Sequence, residues 1–488
     1  MKILKDILYK VSVNAVFGKT NTEVNKVVFD SRKVTQGDVF VAQKGVQVDG
    51  HLYISKAIEL GASVVVCEDL PEDRDKDVTY IEVEDSSKAL AVMAANYYDN
   101  PSSKLSLIGV TGTNGKTTIT TLLYQLFKRL GYKVGLLSTV KVLVDNKEYE
   151  ATHTTPDSLA INAYLSEMVS EDVKYCFMEV SSHGIHQKRT ESLLFKGGVF
   201  TNLSHDHLDY HETFAEYRDV KKSFFDSLPK TAFSLVNEDD KNGKIMLQNT
   251  KSKKHFYALK TIADYKSKIL EKGFSGTLLT VNGVEVWTKL IGEFNVYNLL
   301  AIYGVADLLG LEKMDVLTGI SQLESVSGRF QYVVSQDKIT AIVDYAHTPD
   351  ALKNVLETIN DIRTGNEEVI TVVGCGGDRD VSKRPKMGKI ASHLSNQVVF
   401  TSDNPRSEDA QAIIDQMELG VASEDFRKTL TVVNRKQAIK TACKLAKSGD
   451  IILIAGKGHE DYQEIKGERL HFNDLEEVTK CFNQLKKL

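Results

Sequence analysis

The sequence is poor in cysteine, with 5 in 488 residues, and none of them forms a Cys-x-x-Cys pair. Their scatter argues against a zinc site or a disulfide framework and suits a reducing compartment. No apolar run approaches the ~18 residues that a membrane-spanning helix needs, so we expect no membrane span. The opening stretch MKILKDILYKVSV places lysines among its apolar residues and lacks the cleavage site of a secretory signal. We therefore expect a cytoplasmic protein.

An excess of positive charge is also missing, because 61 Lys and Arg stand against 66 Asp and Glu, a net charge of −5. The chain therefore has no general attraction to nucleic acid or acidic membranes, and any anion site must be built locally. The content of 42% hydrophobic and 26% charged residues is ordinary for a globular protein. We find no internal repeat and no low-complexity tract.

The length predicts roughly three domains at about 150 residues each. Proline and two serines in YYDNPSSK mark a first linker, and a second boundary follows VSGRFQYV. Short apolar runs alternate with helical patterns throughout. We therefore predict three α/β domains in series, at residues 1–98, 99–332 and 333–488. The fold class is a small N-terminal α/β domain, a central P-loop ATPase domain with a parallel sheet, and a C-terminal Rossmann-like domain.

The stretch VTGTNGKTT lies between a predicted strand and a predicted helix, as a phosphate-binding loop does. Its glycines allow backbone N–H groups to approach oxyanions, Lys116 supplies a positive charge, and the Thr117 hydroxyl can bind Mg²⁺. The earlier glycine is closer to Gly115 than in the common pattern. An ordinary glycine turn at a helix start would leave Lys116 and Thr117 unexplained. The candidate phosphate contacts are Gly112, Thr113, Asn114, Gly115, Lys116, Thr117 and Thr118.

Two segments offer ligands for a metal-bound triphosphate. Glu179 ends the predicted strand of YCFMEVSSH, as the acidic residue of a Walker B strand would. The segment TNLSHDHLDYH holds three His and two Asp, a density that suits metal or phosphate chemistry. Glu179 could instead be a strand-end carboxylate in water, and the His-rich segment an ordinary polar loop.

Further polar residues stand near predicted element ends. Asn295 and Asn298 in GEFNVYNLLA begin an apolar helix, where Asn295 could simply be an N-cap. Arg329 of SGRF lies at the second boundary, where it could reach a γ-phosphate between domains or form a surface ion pair. Asp344 and His347 in DYAHTPD lie close by.

Apolar strands of the third domain run into polar, often glycine-bearing loops in ITAIVDYAH, EVITVVGCGGDRD, NQVVFTSDNPR and DIILIAGKGHE. Ligands of open α/β sheets bind just outside the carboxyl ends of the strands. A free amino acid is a zwitterion, so its pocket needs an anion for the ammonium and an arginine for the carboxylate. The residues that offer such groups are Arg384, Asp403, Asn404, Arg406, Gly456 and Glu460.

Taken in order, GTNGKTT, HTTPD, MEVSSHG, TNLSHDHLDYH, GEFNVYN, GRF, DYAHTPD and TSDNPR resemble the motifs of the Mur ligase family. The resemblance covers nearly the whole chain and is least distinctive in the first hundred residues. It implies an ATP-dependent, amide-forming enzyme of cytoplasmic peptidoglycan precursor synthesis. It also implies small-molecule substrates, namely ATP, a UDP-N-acetylmuramoyl dipeptide and a diamino acid, and a protein that acts as a monomer.

The resemblance implies roles for the nucleotide-site residues. Lys116 would contact the β/γ-phosphates, and Arg329 and His347 would be catalytic. Mg²⁺ would be held by Thr117, Glu179, His207 and Lys221, the last as a carbamate (N6-carboxylysine), since a bare ammonium would repel the cation. A one-residue slip would exchange Lys221 with Lys222. The residues implied near the nucleoside are Asn295, Asn298 and Asp344.

For the sugar-linked peptide the resemblance implies contacts from Ser31, Thr154, Thr155, Ser181, Gln187 and Arg189. Hydroxyls and an arginine suit a diphosphate and a peptide carboxylate. The family often has a larger residue near Val46, so uridine contacts there are assigned less firmly.

In the family, DNPR accompanies diaminopimelate, whereas lysine-adding relatives replace its arginine, here Arg406. An arginine aimed at the far carboxylate would face lysine unpaired. Meso-lanthionine would present the same charges and is not excluded. Arg406 could instead belong to a helix start with solvated charges. Other functions that stay open are a lysine-adding ligase, a folylpolyglutamate synthetase-like ligase, and a P-loop motor or switch acting on a macromolecule.

Overall fold

The computed structural model describes residues 2–45, 48–206 and 210–484. Within them the N-terminal domain is built on a sheet in the order β2-β7-β6-β5-β4, parallel except for β2. Its strands are β1 (Lys2–Ile3), β2 (Val13–Phe17), β3 (Glu23–Val24), β4 (Val27–Val28), β5 (Val39–Val41), β6 (Val64–Cys67) and β7 (Thr79–Val83). Its helices are α1 (Leu4–Ile7), α2 (Ile54–Glu59) and α3 (Ser86–Tyr97).

The central domain has the longest sheet of the described chain, in the order β11-β10-β9-β12-β8-β13-β14-β15-β16-β17-β18. Its strands are β8 (Ser106–Thr111), β9 (Val134–Leu137), β10 (Lys141–Val144), β11 (Lys147–Glu150), β12 (Tyr175–Glu179), β13 (Phe195–Phe200), β14 (Phe233–Asn237), β15 (Lys253–Ala258), β16 (Tyr265–Gly273), β17 (Gly276–Val281) and β18 (Val284–Thr288). Its helices are α4 (Lys116–Arg129), α5 (Ser158–Ser170), α6 (Ser182–His186), α7 (Phe214–Asp226), α8 (Gly243–Met246), α9 (Glu293–Leu308) and α10 (Lys313–Ser321).

The middle of this sheet, from β9 to β16, is parallel, and its edges are antiparallel hairpins. The strands are apolar because both faces are covered. Helix α4 and the largely buried α9 pack on one face, and residues of α5 and α7 pack on the other. Strand β8 lies between β12 and β13, so the loop after β8 is flanked by the ends of two neighbouring strands.

The C-terminal domain has a sheet in the order β19-β20-β24-β21-β22-β23, parallel except for β19. Its strands are β19 (Gln331–Val334), β20 (Thr340–Asp344), β21 (Val369–Val373), β22 (Gln397–Phe400), β23 (Thr429–Thr431), β24 (Ile451–Ala455), β25 (Tyr462–Ile465) and β26 (Glu468–His471). Its helices are α11 (Pro349–Ile362), α12 (Lys383–Leu394), α13 (Ala410–Glu418), α14 (Arg435–Leu445) and α15 (Asp474–Gln484). The four strands predicted to end in polar loops are β20, β21, β22 and β24, and they lie side by side.

The predicted architecture of three α/β domains in series is confirmed. The exact domain boundaries stay a prediction. All five cysteines are buried as free thiols. Among the helices of the described residues, none combines the length and apolar character that crossing a membrane requires.

Candidate active site

The glycine loop joins the buried strand β8 to helix α4, as the sequence predicts. Gly115 stands before the first helical residue with φ 89°, a left-handed conformation that glycine adopts freely. Gly112 has φ 147°, and a Cβ there would collide with the Thr201 hydroxyl at the end of β13. The loop therefore needs glycine at both positions, and the free N–H groups at the start of α4 can receive an oxyanion.

Two lysines, the half-buried Lys116 and the buried Lys221, converge on the carbonyl of Gly112. Lys116 Nζ donates to Gly112 O at 2.9 Å and to Thr113 O at 2.8 Å. Lys221 Nζ, from α7, donates to the same Gly112 O at 3.1 Å. Burial lowers the pKa of both amines, and the Lys116 charge further lowers the pKa of Lys221. The protonated form of the Lys221 amine is therefore strongly disfavoured.

Lys222 has a different environment from its neighbour Lys221. Its Nζ forms an ion pair with Asp226 Oδ2 at 2.7 Å, one turn along α7. Because Lys221 is the residue that reaches the phosphate loop, the structure favours it over Lys222 for a role there.

Glu179 is completely buried at the end of β12, next to the phosphate-loop strand. Its Oε1 accepts from the Thr139 N–H at 2.8 Å, and its Oε2 accepts from the Thr139 hydroxyl at 3.1 Å. The Thr139 hydroxyl also contacts Thr154 Oγ1 at 3.1 Å. The alternative of a carboxylate in water is wrong. His207 lies outside the described residues, as does Val46.

A cavity of about 470 Å³ opens between the central and C-terminal domains. Asn298 and Arg329 line it, together with Asp344. Asn295 supports Asn298, whose Nδ2 donates to Asn295 Oδ1 at 3.1 Å. The alternative that Asn295 caps the helix is wrong, because α9 begins at Glu293 with Gly292 in the capping position. The phosphate-loop residues that line the cavity are Asn114, Gly115 and Thr118.

Arg329 joins the two domains at this cavity. Its Nη2 donates to Thr117 Oγ1 at 3.2 Å, and its guanidinium lies 4.5 Å from the centroid of the Tyr345 ring. Burial raises the pKa of Asp344 to about 6 despite the nearby arginine. Burial also lowers the pKa of His347 to about 4, so its imidazole is neutral at pH 7. Arg329 therefore lies between the phosphate loop and Tyr345, whose ring centroid is 4.6 Å from that of the neutral His347 imidazole.

A polar cluster follows β12 on the other side of Glu179. The Thr155 hydroxyl donates to Glu179 O at 2.9 Å and accepts from the Ser181 N–H at 3.0 Å. Arg189 donates to Gln187 Oε1 and, at 2.7 Å, to Thr155 O. The structure thus brings together four of the residues predicted to hold the sugar-linked peptide. Ser31 is half-buried in the N-terminal domain, at the start of a 3₁₀ turn.

A cluster of charged and polar groups follows the ends of β22 and β24 in the C-terminal domain. Asn404 Nδ2 donates to Glu460 Oε2 at 2.8 Å, and Asn404 Oδ1 accepts from Lys457 Nζ at 2.9 Å. Lys457 is fully buried and lies 3.9 Å from Asp403 Oδ1. Gly456 is required here because a Cβ would lie 2.5 Å from Asp403 Oδ2. The four predicted residues Asp403, Asn404, Gly456 and Glu460 are therefore in contact.

The two predicted arginines have different surroundings. Arg406 is half-buried, and its Nη1 donates to Gly377 O at 2.7 Å. Arg384 is fully buried, and its Nη1 and Nη2 each lie 2.8 Å from an oxygen of Glu408. The alternative of a helix start with solvated charges holds for the end of this run, because the exposed Asp409 is the N-cap of α13, whereas Arg406 lies before the cap and is half-buried.

Three family models match the chain: Mur ligase family, catalytic domain, at residues 23–98; Mur ligase middle domain at 110–306; and Mur ligase, glutamate ligase domain at 328–458. A protein of Cytophaga hutchinsonii named UDP-N-acetylmuramoyl-L-alanyl-D-glutamate--2,6-diaminopimelate ligase is 53% identical over 99% of this chain and 100% of its own. Relatives with the same name are 51% identical in Bacteroides thetaiotaomicron and 40% in Clostridium botulinum, each over 99% of this chain. The chain belongs to the Mur ligase family.

Solved structures agree with this membership. A structure of a UDP-N-acetylmuramoyl-L-alanyl-D-glutamate--2,6-diaminopimelate ligase has a TM-score of 0.70 at 30% identity and covers 100% of both chains. A MurF structure from Acinetobacter baumannii has a TM-score of 0.67 at 16% identity over 98% of each chain, which shows a shared fold. A folylpolyglutamate synthase from Mycobacterium tuberculosis has a TM-score of 0.61 at 17% identity but covers only 74% of this chain.

Sequence analysis did not single out two residues near the predicted amino-acid site. Arg379 is exposed, and both its Cγ and Arg406 Nη1 lie within 4 Å of the position that a Cβ on Gly376 would take. Lys457 links Asn404 to Glu460 within the GKGHE loop. Both residues stand in the strand-end loops that the sequence singles out, so their place in those loops was the available signal. The direction in which each side chain points could not be predicted from the sequence.

Proposed function

We propose that this Mur ligase joins meso-diaminopimelate, or a close isostere such as meso-lanthionine, to UDP-N-acetylmuramoyl-L-alanyl-D-glutamate at the expense of ATP. The observation that carries the proposal is identity of 51–53% over 98–99% of the chain to relatives with that ligase name. The arrangement of charges in the C-terminal domain supports it independently.

The reaction has two steps that balance without a further reactant. A substrate carboxylate oxygen attacks the γ-phosphorus of ATP, the bond from that phosphorus to the β–γ bridging oxygen breaks, and ADP leaves with an acyl phosphate formed. An uncharged amine of the diamino acid then attacks the acyl carbon. The carbon–oxygen bond to phosphate breaks, inorganic phosphate leaves, and the nitrogen gives up a proton. Phosphorylation is needed because carboxylate oxide is a poor leaving group.

The residues around the glycine loop suit the first step. The start of α4 offers N–H donors, and Lys116 and Arg329 offer positive charge beside the Thr117 hydroxyl. Such groups stabilise the charge that develops on a transferred phosphoryl group. Asn298, supported by Asn295, lines the cavity between the domains, where we place the nucleoside, and Asp344 lines the same cavity.

The donors present fit Mg²⁺, which prefers hydroxyl and carboxylate oxygen. Thr117 and the buried Glu179 are such donors, and we place His207 and Lys221 with them, as the family resemblance implies. Lys221 fits as a carbamate, because burial and the neighbouring Lys116 lower the pKa of its amine and so disfavour its charged form. When bound, Mg²⁺ supplies positive charge that offsets the repulsion between the triphosphate and the substrate carboxylate.

The cluster of Thr155, Ser181, Gln187 and Arg189 offers hydroxyls and a guanidinium to the dipeptide, with Thr154 adjoining it through Thr139. Ser31 would contact the UDP end from the N-terminal domain. The Tyr210 hydroxyl accepts from Gln187 Nε2 at 3.1 Å, so we add it as a residue that orients Gln187.

The charged cluster at the ends of β22 and β24 suits a doubly zwitterionic amino acid. Asp403 and Glu460 can accept from an ammonium group, and the guanidinium of Arg406, with which we place that of the exposed Arg379, can pair with carboxylates. Lysine lacks the second carboxylate and would leave an arginine unpaired, which costs roughly 1–3 kcal/mol if that arginine is desolvated. The proposal therefore includes discrimination against lysine.

A ligation assay with purified protein tests the proposal. ATP, MgCl₂ and the UDP-sugar dipeptide are supplied with meso-diaminopimelate, meso-lanthionine or L-lysine, and phosphate release is compared with the new amide product by mass spectrometry. We expect stoichiometric phosphate and product with the first two amino acids and little with lysine. Preference for lysine would contradict the specificity, and ATP hydrolysis stimulated by nucleic acid or another protein would favour a motor or switch. A cytoplasmic location and a monomeric state stay predictions.

Replacing Arg406 by lysine is expected to raise the KM for meso-diaminopimelate by roughly 10- to 100-fold, because an ammonium cannot reproduce a bidentate pair with a carboxylate. The KM for ATP should change less than about twofold, because Arg406 lies in the amino-acid pocket. Initial-rate kinetics with each substrate varied in turn give both constants. Arg427→Lys, at an exposed arginine of the same domain, is the matched control. Equal increases in both KM values would show that Arg406 acts on the fold rather than on the amino acid.

A further inference from the structure

We infer that Arg384 is a positioning residue that holds the Arg406 loop in its binding geometry through an ion pair with the half-buried Glu408, and that it does not itself bind the amino acid. This inference rests on the proposed function, since it assigns how that pocket is organised. The cluster consists of Arg384 at the start of α12, Glu408 before α13, and Gln416 within α13.

The cluster satisfies the two terminal nitrogens of the guanidinium internally. Arg384 Nη1 donates to Glu408 Oε2 and to Gln416 Oε1, each at 2.8 Å. Nη2 donates to Glu408 Oε1 at 2.8 Å and to Gly376 O at 3.3 Å. The arginine is fully buried, whereas Arg379 of the same segment is exposed. A substrate carboxylate would have to displace Glu408 to reach Arg384.

The same ion pair connects the two loops that carry the exposed or half-buried arginines. Glu408 Oε1 also accepts from the Asp378 N–H at 2.6 Å, which ties the loop after β21 to the loop after β22. Asp378 in turn accepts from the Ser407 N–H at 3.2 Å. Arg406 donates to Gly377 O at 2.7 Å, and the Gly377 N–H donates to Asn404 O at 2.9 Å. The loops are therefore joined on both sides of Arg406.

The backbone at these positions needs such support. Arg406 has φ 51° and Asp378 has φ 53°, both in the left-handed region that non-glycine residues disfavour. Strained residues of this kind persist only where the surroundings determine their conformation. Functional groups on loops need a supporting shell of buried contacts to hold their geometry. The Arg384–Glu408 pair supplies part of that shell, and the backbone of Arg406 is also held by hydrogen bonds with Glu464 O at 3.1 Å and the Lys466 N–H at 2.7 Å.

The variant Glu408→Gln distinguishes positioning from direct binding by whether the KM for meso-diaminopimelate rises or falls. If Arg384 positions the loop, loss of the carboxylate loosens Arg406, and we expect the KM for meso-diaminopimelate to rise about 10-fold or more. The KM values for ATP and the UDP-sugar dipeptide should stay within about twofold. The preference for meso-diaminopimelate over lysine, as a ratio of kcat/KM, should fall by a similar factor. If Arg384 bound the amino acid directly, its release from Glu408 would lower that KM instead.

A falling or unchanged KM for the diamino acid would overturn the inference, and so would equal increases for all three substrates. Coupling to Arg406 gives a second readout: in an Arg406→Lys background, Glu408→Gln should add little to the KM. A full further increase would show that the pair does not act through Arg406. If Glu408→Gln fails to fold, Gln416→Leu removes one acceptor only and should raise the same KM by a smaller factor.

The control is Asp425→Asn, which breaks another ion pair of the C-terminal domain, with Lys428 at 2.7 Å, away from the two loops. It should leave all three KM values unchanged. Failure of the proposed function would be visible separately, because the unmodified protein would then ligate no diamino acid at all.

Discussion

Replacing Lys116 with alanine is expected to lower the ligation rate by about 10³-fold or more, a loss typical of removing a central charge-stabilising donor. The ammonium lies at the start of α4 and reaches back over the glycine loop to the carbonyls of Gly112 and Thr113. A triphosphate in the loop would exchange those neutral partners for anionic oxygens, which bind an ammonium more strongly. Phosphate release in the complete assay measures the loss.

The fold should survive this change. Burial lowers the pKa of Lys116, which means that its charged form is disfavoured in the folded protein. Because the folded-state pKa lies below the unfolded value, the charged lysine opposes folding at neutral pH. Removing it should therefore leave the Tm unchanged or slightly higher, as measured by thermal unfolding. Lys128→Ala on the same helix, which breaks an ion pair with Asp145, is the matched control and should retain full activity. Retained turnover in Lys116→Ala would remove the nucleotide assignment.

The glycine loop could be predicted because its information is local: a buried strand, glycines, a lysine and an apolar helix follow one another within a short stretch. The residues that surround the loop could not be predicted in the same way. Thr201, which makes glycine necessary at Gly112, lies about ninety residues later and is brought close by the pairing of β13 with β8. That pairing is a property of the sheet order, which a single sequence does not display.

The arginines of the C-terminal domain show a second limit of prediction from the sequence. Arg379 and Arg384 stand in one polar segment after β21, and composition alone cannot tell which is exposed. The carboxylate that separates them is Glu408, which stands in the run after Arg406 that one alternative regarded as solvated charges at a helix start. The pKa of Glu408 is lowered to about 2, chiefly by the hydrogen bonds from Arg384. Glu408 is therefore the ion-pair partner of that arginine. The ion pair between Arg384 and Glu408, which are distant in the sequence, therefore decides which of the two arginine side chains points inward and which stays exposed.

Replacing Lys221 with alanine is expected to reduce ligation at least about 100-fold, because the change removes an anionic group proposed to sit beside the cation and triphosphate. Added short carboxylic acids such as acetate should restore part of the activity by occupying the vacated space near Gly112 O. Lys222→Ala is the matched control, since Lys222 pairs with Asp226 and should be dispensable. Carbon-13 NMR with labelled bicarbonate should show a carbamate signal in the unmodified protein and in Lys222→Ala but not in Lys221→Ala. Absence of both rescue and signal would leave Lys221 as an unmodified amine that donates a hydrogen bond to the phosphate loop. A signal lost only in Lys222→Ala would move the carbamate to the neighbouring residue.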